Sequence, residues 1–142
     1  MSRPGDAGAE AAVLVIESGE ELGRLYPWLD GAARAVGLPG SMLPGMHVAL
    51  EEAVMNAVMH GFAPGPPGRV AVRLDVTHDM AVLVVEDDGR AVDPTLLPTI
   101  RPGPQDSAVG GLGLTLLRHF CRDISYARVS NHNRLTLRFP LA

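Results

Sequence analysis

Glu52-Ala53-Val54-Met55-Asn56-Ala57-Val58-Met59-His60-Gly61 sets a carboxylate, an amide and an imidazole at four-residue steps. On a helix of 3.6 residues per turn this spacing keeps Glu52, Asn56 and His60 on one narrow stripe. Such a stripe can hold a metal beside a reacting group. Mg²⁺ takes oxygen ligands and often only one or two from protein, a role open to the Asn56 amide oxygen. Glu52, one turn earlier, can accept or orient a hydroxyl proton. Asn competes for backbone hydrogen bonds and ranks low in helix propensity, so helix stability does not explain its presence. A plainer account makes Glu51 and Glu52 a solvated face and His60 a partner for the helix C-terminus.

Working outward, the helix carrying this stripe is expected from about Leu43 to Met59. Met46, Leu50, Ala53 and Ala57 lie on one apolar face, with Val54 and Val58 beside it. Gly61 and the Pro/Gly-rich run to Gly68 end it. Arg69 to Val76 and Met80 to Glu86 read as strands joined by a Thr77-His78-Asp79 hairpin turn, and Ile124 to Val129 and Arg134 to Phe139 as closing strands joined by a Ser130–Asn133 turn. Upstream, Ala11 to Glu17 reads as a strand and Ser18 to about Val36 as a helix, broken or started late near Tyr26 because Pro27 lacks an N–H. Gly37 to Gly40 closes that segment as a turn. Pro94 to about Arg101 suits a short helical turn, 102–107 a mobile loop, and Leu114 to Arg122 a further helix. Residues 1–10 have the composition of a disordered start. The pattern specifies an α+β protein, a two-layer α/β sandwich whose mixed, mostly antiparallel sheet carries helices on one face.

The composition narrows the function classes. At 142 residues the chain is the size of one domain, and 46% hydrophobic with 20% charged residues is ordinary for a folded globular protein. A net charge of -4 is wrong for a surface that neutralises nucleic acid. Cys121 is the only cysteine, which excludes an internal disulfide and a Cys-rich zinc site and fits a reducing, cytoplasmic setting. No apolar run approaches the ~20 residues of a membrane span, and the first residues lack the apolar stretch of a signal peptide. All 12 Lys+Arg residues are Arg. A Walker-type phosphate loop and the eukaryotic-type kinase fold both place a Lys on the nucleotide phosphates, so neither is complete here.

Two further segments carry chemistry. Asp87-Asp88-Gly89 follows a strand, where a carboxylate can accept a hydrogen bond from an exocyclic base amine and a glycine lets backbone approach the base; it is equally an ordinary turn signal. Gly110-Gly111-Leu112-Gly113-Leu114-Thr115 precedes a helix, whose first N–H groups form an anion site that glycines leave open. A phosphate site without lysine leans on backbone donors, Arg and metal. Thr115 can add a hydroxyl or simply pack the first turn.

In this order the three segments resemble the N, G1 and G2 boxes of the GHKL superfamily, the Bergerat-fold ATPases. More narrowly, the boxes, the run Val85-Glu86-Asp87-Asp88-Gly89-Arg90-Ala91-Val92-Asp93-Pro94 and the closing Asn133-Arg134-Leu135-Thr136-Leu137 are similar to the stand-alone bacterial anti-sigma-factor serine/threonine kinases. The likeness spans about residues 11 to 140 and implies that 11–142 form a histidine-kinase-like ATPase domain. It implies ATP and Mg²⁺ as cofactors, Asn56 as metal ligand, Glu52 as catalytic carboxylate and Asp87 as adenine reader. Gly111 and Gly113 then cradle phosphates, and the loop from Val92 to Gly110 is an ATP lid. The implied nucleotide-contacting set is Asn56, His60, Asp87, Gly89, Ala91, Gly110, Gly111, Leu112, Gly113, Leu114 and Thr115. The implied partners are a small anti-anti-sigma protein, phosphorylated on serine or threonine, and a sigma factor held by the free kinase; relatives often form homodimers.

The chain departs from that pattern in two places. Ala91 stands where a second glycine is common, and no basic residue falls between Arg101 and Gly110, where related kinases often carry an Arg for the γ-phosphate. Arg90 or Arg101 can compensate. Thr136 is a candidate for the adenine-contacting hydroxyl of the closing strands, and strand alternation decides whether it faces the site or solvent. An alternative function is a nucleotide-binding module that sequesters a partner without phosphoryl transfer. A detached histidine-kinase catalytic domain fits less well, because no helical segment with a phospho-accepting His is expected ahead of the domain.

Overall fold

Apolar residues at every second position of four segments, Val70/Val72/Leu74, Ala81/Leu83/Val85, Leu135/Leu137/Phe139 and Leu14/Ile16, are buried. A strand turns alternate side chains to opposite faces, so each segment offers one face to a core and one to water. The computed structural model describes residues 12–58, 68–91 and 117–141 and builds from these segments a five-stranded sheet. The strands are β1 (Ala12–Ile16), β2 (Val70–Val76), β3 (Met80–Asp87), β4 (Asp123–Val129) and β5 (His132–Pro140), in spatial order β1-β2-β3-β5-β4. All four described pairings are antiparallel.

Helices α1 (Leu25–Ala35) and α2 (Leu43–Asn56) pack on the inner face. Leu25 and Leu29 from α1, and Met46, Leu50, Ala53 and Val54 from α2, join the sheet residues in one core with Leu117 and Cys121. Each fully buried Leu or Val contributes roughly 1.5–3 kcal/mol relative to exposure. The opposite face carries Arg73–Asp75, Arg134–Glu86 and Arg138–Asp123 ion pairs. Among the described residues no helix is long and apolar enough to cross a membrane. The expected sandwich, with helices on one sheet face, is what the chain forms.

Local chemistry sets the element ends. The α-helix starts late, as Pro27 suggested, because Gly19–Arg24 form a 3₁₀ segment and Pro27 then sits in the first turn of α1, where its missing N–H is no loss. At the other end Gly37 has φ +74, its N–H bonds Arg34 O at 3.2 Å, and Leu38 N–H bonds Ala33 O at 3.0 Å. This paired closure needs a left-handed residue, which glycine adopts without strain. Regular α2 runs to Asn56 and continues as a wider π-type turn over 57–58; the expected end at Met59 lies outside the described residues. Gly45, near its start, is where Phe120 approaches: a Cβ there would sit 2.8 Å from the ring.

The β4–β5 connection differs from the expected four-residue turn. Ser130 (φ 49) and Asn131 (φ 64) form a two-residue loop, and Val129 pairs with His132. Positive φ at both loop residues matches the twist of the flanking strands, a type I′ geometry. His132 and Asn133 therefore belong to β5, and Asn133 lies directly opposite Asp87 of β3. The expected helical turn at 94–101, the loop at 102–107, residues 1–10 and the start of the 114–122 helix lie outside the described residues, of which 117–120 are helical.

Candidate functional site

The last residues of β3 and the last turn of α2 place two buried polar groups in a largely apolar interior. Asp87 ends the inner-face series Ala81, Leu83, Val85 and is 6% exposed; Asn56 continues the buried helix series Ala49, Ala53 and is 7% exposed. Buried polar groups normally have partners, so each requires an account.

Asp87 is well partnered on one oxygen. Gly89 N–H donates to Oδ1 at 2.9 Å, closing the turn, and Asn133 Nδ2 donates to the same oxygen at 2.9 Å. Among the described residues none donates to Oδ2. Burial raises the Asp87 carboxyl above its ordinary value; the Asn133 and Gly89 hydrogen bonds and nearby Arg128 oppose the shift, and Asp88 adds to it. A carboxylate with one saturated oxygen and one open oxygen can bind a hydrogen-bond donor from a ligand.

Asn56 is the opposite case. Its Oδ1 is buried and has no hydrogen-bond partner among the described residues. An orphaned buried carbonyl-type oxygen costs about 1–3 kcal/mol, which a cation or water at that point would recover. One turn earlier, half-buried Glu52 has its carboxyl raised, first by burial and second by the charge of neighbouring Glu51. A carboxyl shifted toward neutrality is better matched to general-base work than an ordinary surface glutamate.

Strand register decides the question left by the closing strands. Thr136 pairs with Val84 and stands between inner-face Leu135 and Leu137, so it occupies the outer face, away from Asp87. The residue that meets Asp87 from β5 is Asn133, which sequence reasoning assigned to a turn. Its signal was a strand count: two left-handed residues suffice for a hairpin, and the next two positions then enter the ladder.

Of the residues expected at the site, Glu52, Asn56, Asp87, Gly89 and Ala91 are described. Gly89 is buried and bonded to Asp87; Ala91 is exposed. His60, Gly110, Gly111, Leu112, Gly113, Leu114, Thr115 and the expected lid, 92–110, lie outside the described residues.

A histidine kinase-like ATPase domain model matches residues 18–139. The chain belongs to that family. Within this ATPase family it is similar to the serine/threonine-protein kinase BtrW of Bordetella bronchiseptica, 40% identical over 89 residues, 61% of this chain and 63% of that protein. It is also similar to the serine-protein kinase RsbW of Bacillus subtilis, 29% identical over 124 residues, 83% of this chain and 76% of that protein. The chain thus spans under two thirds of the Bordetella protein. Among solved structures, the RsbU and RsbW domains of a Mycobacterium tuberculosis protein superpose with a TM-score of 0.62 at 18% identity, covering 91% of this chain and 32% of that one. That likeness carries the fold. A histidine kinase-like ATPase domain uses ATP, the ligand class expected from the three segments.

Proposed function

We propose that this ATPase-family chain is a Mg²⁺-dependent serine/threonine protein kinase of the anti-sigma type, transferring the γ-phosphoryl group of ATP to a small anti-anti-sigma protein. The observation that carries the reading is the orphaned, buried Asn56 Oδ1 one helical turn from a carboxyl raised above its ordinary range. Relatives named as serine-protein kinases support the reaction class.

In this reading Asn56 Oδ1 would hold the metal, a fit its missing partner supports, and the ion would supply neutralisation of charge on the phosphates. Glu52 accepts the proton of the partner's serine or threonine hydroxyl as the hydroxyl oxygen attacks the γ-phosphorus, the bond from that phosphorus to the β-γ bridging oxygen breaks and ADP leaves. Asp87 Oδ2 accepts a hydrogen bond from the exocyclic amine of adenine, while Gly89 keeps the turn close to the base. His60, Ala91, Leu112, Leu114 and Thr115 complete the nucleotide contacts, and Gly110, Gly111 and Gly113 present backbone donors to the phosphates. Partner switching follows: the kinase holds a sigma factor or phosphorylates its antagonist, as a cytoplasmic protein and in a homodimer.

Incubation with γ-labelled ATP, Mg²⁺ and candidate small partners tests this. Label should pass to a serine or threonine and disappear with Glu52→Ala or Asn56→Ala. The absence of a basic residue between Arg101 and Gly110 favours a second reading, a nucleotide-gated sequestering module. Tight ATP binding with no transfer to any partner would select it.

A further inference from the structure

Asn133 has no role in the expected site, yet it is 5% exposed and central to a hydrogen-bonded group at the end of the sheet. Its Nδ2 donates to Asp87 Oδ1 at 2.9 Å and to Arg90 O at 2.7 Å, two acceptors matched by the two hydrogens of the amide. Its Oδ1 accepts a hydrogen bond from the Tyr126 hydroxyl. The three contacts fix the amide one way round: reversed, it would set oxygen against a carboxylate and a carbonyl. Tyr126 and Arg128 reach the group because they share the inner face of β4, on either side of Ala127. Arg128 Nη1 donates to Gly89 O at 2.8 Å and ties down the turn that also bonds Asp87.

We infer that Asn133, oriented by Tyr126, is a positioning residue that sets base selectivity, by committing Oδ1 of Asp87 to the protein and presenting Oδ2 as a pure acceptor to the base. The inference rests on the nucleotide-site reading above and adds the residues that make the site discriminate. With Oδ1 doubly donated to, the carboxylate is held against rotation, and Oδ2 is left as an acceptor that only a donor can satisfy. A purine with an amine at its six position supplies that donor. One with a carbonyl there, as in inosine or guanosine nucleotides, brings two acceptors together with no hydrogen between them. Without Asn133 the carboxylate can turn, take up water or a proton, and accept either edge, so discrimination falls more than overall affinity does.

The test measures dissociation constants for ATP and inosine triphosphate by calorimetry, with Mg²⁺, in the intact wild-type chain and in Tyr126→Phe, Asn133→Ala and Asn133→Asp. Wild type should favour ATP by ~10-fold or more, the scale of a hydrogen bond to a charged group. Asn133→Ala should bring the ratio to within a few-fold of unity, and Tyr126→Phe should lower it in the same direction. Asn133→Asp keeps the shape, reverses the polarity and should abolish the preference. A ratio unchanged in these variants overturns the inference while leaving the nucleotide site intact. Wild type binding neither nucleotide overturns the site reading and the inference with it. Tyr126→Phe removes a single oxygen, so it carries the test if circular dichroism shows that the Asn133 variants do not fold.

Discussion

Replacing Asp87 with Asn separates what the carboxylate does for the fold from what it does for a ligand. The new amide oxygen can take the Oδ1 position and still accept from Gly89 N–H and Asn133 Nδ2, both at 2.9 Å in the native chain. The NH₂ group then occupies the Oδ2 position, so the ligand-facing atom changes from acceptor to donor. Two donors meet where a donor met a carboxylate, and loss of a hydrogen bond to a charged group removes about 1.5–3 kcal/mol, or ~10- to 150-fold in ATP affinity. Stability should move the other way. Burial raises the Asp87 carboxyl in the folded protein, so the folded state binds that proton more tightly than the unfolded chain. The contribution to stability is therefore fully present below the ordinary carboxyl value and is lost as pH rises through the higher folded-state value. Asp87→Asn removes this limb, so the variant should be at least as stable as wild type at pH 7 and should show a flatter stability profile as pH rises above the ordinary carboxyl value. Urea unfolding across pH, with calorimetric titration of ATP, reads both effects. ATP affinity within twofold of wild type, or a clear loss of stability at pH 7, would refute the assignment of the two oxygens.

Three other outcomes follow from the same interior. Glu51→Gln removes the second cause of the raised Glu52 carboxyl, so the acid limb of the phosphoryl-transfer rate should move to lower pH, while a limb that stays put would disconnect Glu52 from the proton step. Asn56→Leu replaces an orphaned acceptor with an apolar side chain of similar size; thermal unfolding should show a gain of about 1 kcal/mol or little change, while Mg²⁺-dependent ATP binding is lost. Burial pushes the Cys121 thiol up to about 12, so thiol reagents at pH 8 should label the folded chain far more slowly than the unfolded chain.

The sheet and both long helices were legible because one face of each is apolar at the period of its backbone, as the buried alternation of β2 and the Met46/Leu50/Ala53 series show. The segments that failed did so where two kinds of information compete. Ser130 to Asn133 looks like a turn by residue type throughout, since Ser and Asn favour turns. Only Ser130 and Asn131 take positive φ, and pairing with β3 captures His132 and Asn133. Misplacing that boundary hid Asn133 and left Thr136 as a candidate, although parity counted from Leu135 and Leu137 already sends Thr136 outward. Asn56 stood out because Asn is costly inside a helix, Glu52 because it lies one turn earlier on the same stripe, and Asp87 because a carboxylate and a glycine close the end of a strand. Tyr126 and Arg128 did not, because an aromatic and an arginine on an edge strand are ordinary until the register brings them to Asn133.

The two-residue hairpin at Ser130 and Asn131 is short enough to count residues for the rest of the molecule. Were it one residue longer, with β4 sliding a single step along β5, Tyr126 and Arg128 would exchange sides with Ser125 and Ala127. Every strand would survive and the helices would keep their seats, but the supports behind the carboxylate would point into water. A chain could in this way keep its architecture and forfeit its discrimination through arithmetic alone, in a loop that supplies none of the proposed site residues.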